Sequence, residues 1–171
     1  MDENYAIIQT DQLWSFKDKW TLLDFNSFHE TPSARSFSSL NELNGKLYLF
    51  GGFLNDRSLN DLWVFNIQKK RWKIINLDQI IKPRHHLSYI NSTTNQLVIL
   101  GGYNEKDCQK IVLDDIYFIN LTNFEVTRSQ AKLKIAESSL IVHENKAKKN
   151  YFILKIKMII KIITVDHCWW I

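Results

Sequence analysis

Glycine, proline and cysteine are scarce in this chain: five, two and two among 171 residues. Cys108 and Cys168 cannot build a disulfide framework, so a small cystine-stapled secreted domain is excluded. Long apolar runs are missing too. "MIIKIITV" at 158–165 is too short and too flanked by lysine to span a bilayer. The opening "MDENYAIIQTDQLW" is acidic and lacks the apolar stretch of a signal peptide. Asn91-Ser-Thr and Asn120-Leu-Thr have the form of glycosylation sequons, which mean nothing without secretion. A reducing, cytoplasmic location with no membrane partner is the expectation.

Only five of the 22 basic residues are arginine, and lysine, asparagine and isoleucine are abundant. This skew fits an AT-rich coding sequence, so lysine abundance need not report function. The net charge of +4 divides unevenly: residues 1–130 carry 14 basic and 15 acidic side chains, residues 131–171 eight lysines and three acids. The basic character belongs to the tail, and no nucleic-acid partner is expected. A P-loop, a Rossmann glycine pattern and zinc-ligand spacing are all absent, so no cofactor or metal is expected either.

What is present is a chain 45% hydrophobic and 13% aromatic, long enough for one domain with a real core. Four of its five glycines fall in two pairs 50 residues apart, closing "LYLFGGF" at 47–53 and "LVILGGY" at 97–103. The flanks repeat as well. "RSFSSLNELNGKLYLFGGF" starts at Arg35 and "RHHLSYINSTTNQLVILGGY" at Arg84. Each is a short run, a turn rich in Asn, Ser, Thr or Gly, and an apolar run into the glycines, which reads as two strands and a tight turn. Then come "NDLWVFNIQKKRWKIINL", with Asp61, Trp63 and Trp72, and "DDIYFINLTNFEVTRSQ", with Asp115, Tyr117 and Phe124. Period-two alternation makes these strands also. Each unit is thus a four-stranded antiparallel meander, and unit-to-unit length differences fall in loops.

Arg35/Arg84, the pairs Gly51-Gly52 and Gly101-Gly102, Asp61/Asp115 followed by Trp63/Tyr117, and the lone aromatics Trp72/Phe124 together resemble the kelch repeat, whose period is about 50. The resemblance covers about residues 35–128. It implies an all-β fold, a partial kelch-type β-propeller with two complete four-stranded blades and incomplete flanking blades. The segments expected are a remnant of a preceding blade and linker at 1–34, blades at 35–83 and 84–133, half a blade at 134–154, and a tail at 155–171 without repeat resemblance. Three residues depart from the family pattern. Ser38 and Leu87 stand where the family often has His, and Phe124 replaces the final Trp. The glycine pairs read as structural, ending the second strand where neighbouring backbone approaches closely.

Upstream, Tyr5 and Trp14 stand nine apart as Trp63 and Trp72 do, suggesting third and fourth strands, with Trp20 a competing choice. Downstream, "SSLIV" at 138–142 and "YFIL" at 151–154 read as first and second strands, and a third glycine pair is due at 155–156, where Lys155-Ile156 stand. A change of reading frame or retained intron there, and a diverged terminal blade, both remain open.

Candidate chemistry is sparse. His85-His86 would point to opposite faces of a strand and has no ligand-spaced companion, so a structural or surface role is expected. Asp114-Asp115 splits the same way, with Asp115 in a turn or capping role. Cys108 lies near Lys106 and Lys110 but has no His partner placed by sequence. The loops 53–60, 73–83, 103–114 and 127–134 emerge on one face, and they carry Asp56, Arg57, Glu105, Lys106 and Asp107 as candidate partner-binding residues. The expected function is a non-catalytic protein–protein interaction module, a scaffold or adaptor, with self-association through open blade faces as a further possibility. The alternatives are a truncated or mis-spliced fragment without independent function, and a fragment of a galactose-oxidase-like propeller enzyme, whose ligand set is not matched here.

Overall fold

The computed structural model describes residues 11–23, 30–77, 80–85, 88–133, 140–145, 150–155 and 168–170. All regular structure among them is β-strand. The order is β1 (Trp14–Phe16), β2 (Trp20–Leu22), β3 (Ser39–Leu43), β4 (Lys46–Phe50), β5 (Phe53–Leu54), β6 (Arg57–Ser58), β7 (Leu62–Asn66) and β8 (Arg71–Ile75). Then follow β9 (Ser88–Asn91), β10 (Gln96–Lys106), β11 (Gln109–Asn120), β12 (Val126–Arg128), β13 (Leu140–Asn145), β14 (Asn150–Lys155) and β15 (Cys168–Trp170). The first unit is the antiparallel sheet β3-β4-β7-β8. In the second unit β9, β10, β11 and β12 pair in the same order. The fold is all-β, and its successive four-stranded antiparallel sheets have the form of propeller blades.

In β4 the alternation that usually separates core from solvent separates two cores. Leu47 and Leu49 join Leu13, Trp63, Phe65 and Trp72 on one side of the sheet. Tyr48 and Phe50 join Leu62 and Ile75 on the other, packed against Leu97, Ile99, Tyr117 and Ile119 of the second unit. A strand buried on both faces reads as a continuous apolar run, which is why "LYLF" shows no polar alternation. Leu13 and Leu23, flanking the β1–β2 pair, cover the first side.

Several elements differ from the sequence-based expectation. β1 pairs with β2 so that Phe16 faces Trp20, as Phe65 faces Trp72 in the first unit. Trp20, not Trp14, is therefore the fourth-strand aromatic; Tyr5 lies outside the described residues. Phe124 precedes β12 with φ +61 and half-buries against the inter-unit core. The partner of Ile119, in the place that Trp72 takes opposite Phe65, is Val126. The two turns are equally long, and Phe124 sits inside the second, at the positive-φ place that Lys70 takes in the first, with its N–H donating to Asn120 O at 2.8 Å. The glycines also behave differently in the two units. β4 ends at Phe50, but β10 runs through Gly101-Gly102 to Lys106, with a register shift between Leu100 and Gly102. The first unit has only the short β5–β6 hairpin here, and the four extra residues after Gly102 lengthen its counterpart into a continuation of β10 and β11, helped by the strand formers Tyr103, Ile111 and Val112. Finally, the tail contributes a strand: β15 pairs antiparallel with β1 from Trp14↔Trp170 to Phe16↔Cys168.

Candidate functional site

Each unit is locked by an arginine that reaches back across its own sheet. Arg35 donates both terminal nitrogens to Asp61, at 2.6 and 2.8 Å, and donates to Gly51 O at 3.0 Å. Arg84 repeats this on Asp115, at 2.5 and 3.3 Å, and on Gly101 O at 2.8 Å. Bidentate guanidinium–carboxylate pairs are among the stronger protein contacts, and here they fix the end of the second strand to the start of the third. The expected turn or capping role of Asp115 is thus corrected: it is the buried counter-ion of Arg84. The sequence signal was present, since Arg and Asp recur together in both units, but nothing local said that they meet.

The glycine pairs make room for this. Gly51 has φ +61, and a Cβ there would collide with the carbonyl oxygen of Arg84 from the next unit. Gly101 has φ +50, and a Cβ would meet Leu113 O at 2.6 Å. Backbone bonds then stitch the units: Gly52 N–H donates to Arg84 O at 3.1 Å and Arg84 N–H to Leu59 O at 2.8 Å.

Above the glycines lies a rim shared by both units. β5–β6 and the outer halves of β10 and β11 are two hairpins in one sheet, joined where Lys106 pairs with Arg57. Their tips are two-residue turns with both residues at positive φ, Asn55-Asp56 and Asp107-Cys108, the twist that hairpins favour. His85 is buried beneath the rim. Its Nδ1 is 3.0 Å from Ser58 Oγ, and its ring lies 5.4–5.9 Å from Phe53, Tyr103 and Phe37. Ser58 Oγ accepts from Glu105 N–H at 2.8 Å, so this cluster ties the two hairpins together. His86 lies outside the described residues.

Of the candidate partner-binding residues, Asp56, Arg57, Lys106 and Asp107 are exposed and Glu105 is half-buried. The structure brings them to one rim. Asp56 and Asp107 also serve the turns, a role their side chains suit. Lys110 lies 3.7 Å above the Tyr103 ring, a cation–π contact that sequence reading missed. Beside the rim, Asp114 is bonded by Lys132 at 3.0 Å, and that hydrogen bond holds its carboxyl below the usual carboxylate range. Burial and, secondarily, the charge of Glu42 push the Tyr48 hydroxyl above its usual range. Among the described residues no group of three or more His, Cys, Asp or Glu could hold a metal ion.

Successive antiparallel four-stranded sheets, packed face to face and joined at a common rim, define blades of a β-propeller. A family model described as the KLHDC2/KLHL20/DRC7 Kelch-repeats domain matches residues 3–151. The chain belongs to the kelch-repeat family. It is 34% identical over 73 residues to Kelch domain-containing protein 2 of Bos taurus, covering 42% of this chain and 18% of that protein. It is 37% identical over 65 residues to Kelch-like protein 40 of Xenopus tropicalis, covering 33% of this chain and 10% of that protein. A stretch of 41 residues is 46% identical to the Rho GTPase-activating protein gacHH of Dictyostelium discoideum, 24% of this chain and 3% of that protein. The chain spans less than a fifth of the length of each of these curated relatives.

Proposed function

We propose that this chain is a non-catalytic, cytoplasmic protein-interaction module that binds another protein through the rim of the two hairpins. Kelch-repeat relatives support an interaction role in general. The observation that carries the specific reading is the Lys106–Arg57 pairing, which joins the two hairpins into one sheet with charges of both signs along it. Charged side chains on a fixed scaffold set partner choice and association rate. The test is capture of a partner from cell extract by the immobilised full chain, with Glu105→Lys and Arg57→Glu as the variants. Each should reduce capture several-fold without changing the circular-dichroism spectrum. Full retention of the partner by both variants would show that binding lies elsewhere.

A further inference from the structure

We infer that β8, the outermost strand of the first unit, receives an extended acidic segment of a partner protein, which adds to the sheet as a further strand. This goes beyond the rim reading and does not rest on it.

The sheet order β3-β4-β7-β8 leaves β8 paired on one side only among the described residues, so its outer edge offers backbone N–H and C=O groups. The chain loads this edge with positive charge. β8 reads Arg71-Trp72-Lys73-Ile74-Ile75, and the turn before it ends in Lys69-Lys70. Trp72 and Ile75 are buried, whereas Lys69, Lys70, Arg71, Lys73 and Ile74 are exposed. Alternation sets Arg71 and Lys73 on the side of the sheet that carries Tyr48 and Val64, and register puts Lys46 in the same row as Arg71 through Asn66. Arg128 of the second unit lies on the facing side, over the Tyr117 ring.

Among the described residues nothing neutralises these cations, since the ion pairs there are Arg35–Asp61, Arg84–Asp115 and Lys132–Asp114. The single acid in the strands of this sheet is Glu42. It pairs with Leu47, on the opposite side, and its carboxylate accepts from Gly45 N–H at 2.9 Å. The second unit does not repeat the pattern: its corresponding turn is Leu121-Thr122-Asn123-Phe124, followed by Glu125. The charge belongs to one strand edge and not to the repeat.

Like charges gathered on an edge oppose pairing with a second copy of the same strand, while a strand of the opposite sign is attracted. In strand addition the backbone ladder gives affinity and alternate side chains give selection. Acidic residues fit opposite Arg71 and Lys73, and an apolar residue fits opposite Ile74, which is 45% exposed on the other side. A polynucleotide would use the cations but not the ladder. The aromatic rings of this sheet, Tyr48, Phe50, Trp63, Phe65 and Trp72, are all buried, so none is offered for base stacking. The edge fits a protein segment in which acidic and apolar residues alternate.

The experiment is fluorescence anisotropy with the full chain and a short labelled peptide of alternating glutamate and valine. The wild type should bind it, and more weakly as salt rises, because exposed charges are screened. Lys73→Glu and Arg71→Glu should each weaken binding at least about fivefold with an unchanged circular-dichroism spectrum, since like charges then face each other. Arg57→Glu at the rim should leave it as it was. The same peptide with a central valine replaced by proline should also bind at least about fivefold more weakly, because proline cannot donate to the ladder. Equal binding of the proline peptide, or of a single-stranded oligonucleotide of the same charge, would reduce the edge to a general anion surface and overturn the inference. A wild type that does not bind the alternating peptide would overturn it as well.

Discussion

The two arginine clamps are the same device in different surroundings. Arg35 and Asp61 have side chains 1% and 25% exposed; Arg84 and Asp115 are at 2% and 8%. Asp61 has a second donor, the Trp63 indole N–H at 2.7 Å. The second unit has Tyr117 at that place, and there the Tyr117 ring lies under Arg84 at 5.3 Å and Arg128 at 5.8 Å. The backbone of Arg84 also bonds to Gly52 and Leu59 of the first unit. One clamp closes a blade; the other closes a blade and the joint between blades. A repeated motif therefore need not carry repeated energetics.

This difference can be broken directly. Asp115→Ala leaves the Arg84 guanidinium buried without its counter-ion and should cost about 3–5 kcal/mol. Asp61→Ala leaves Arg35 with water within reach of the site and should cost about 1–3 kcal/mol. Chemical denaturation of both variants measures the gap; equal losses would show that the joint adds nothing.

A subtler contrast separates the inter-unit core from the surface. The raised pKa of Tyr48 means that its stabilising contribution is complete below the ordinary tyrosine value and lost as pH rises above it. Tyr48→Phe should flatten the alkaline fall of the denaturation midpoint, and an unchanged alkaline limb would remove Tyr48 as its cause. Asp114 has the opposite sign. Its lowered pKa gives a contribution present above the ordinary carboxylate value and lost as pH falls into the acid range. The Asp114–Lys132 pair is exposed, so Asp114→Asn should leave the neutral-pH midpoint unmoved. A clear drop would mean that the segment at 129–133 is held more firmly than its exposure suggests.

Much of the blade was legible because its landmarks are local. The apolar runs before Gly51 and Gly101, and the alternation of Leu62–Asn66, mark strands by composition alone. What was not legible depends on partners far along the chain. Arg35 meets Asp61 26 residues on and Arg84 meets Asp115 31 residues on, so their roles exist only once the sheet has closed. Register fixes the aromatic positions too: spacing alone favoured Tyr5 with Trp14, whereas cross-strand pairing selects Trp20. The rim residues were placed together by topology, but their pairing through Lys106 and Arg57 required a strand in what reads as a loop.

The shared rim also bears on how the molecule comes apart. Arrays of stacked repeats can come apart one repeat at a time, because each repeat contacts only its neighbours. Here the Lys106–Arg57 backbone pairing, the Gly52–Arg84 and Arg84–Leu59 backbone bonds and the Ser58–His85–Glu105 cluster cross the boundary, so loosening one blade strips hydrogen bonds from the next. The pair becomes a single cooperative unit, and the smallest autonomously folding piece is larger than one repeat.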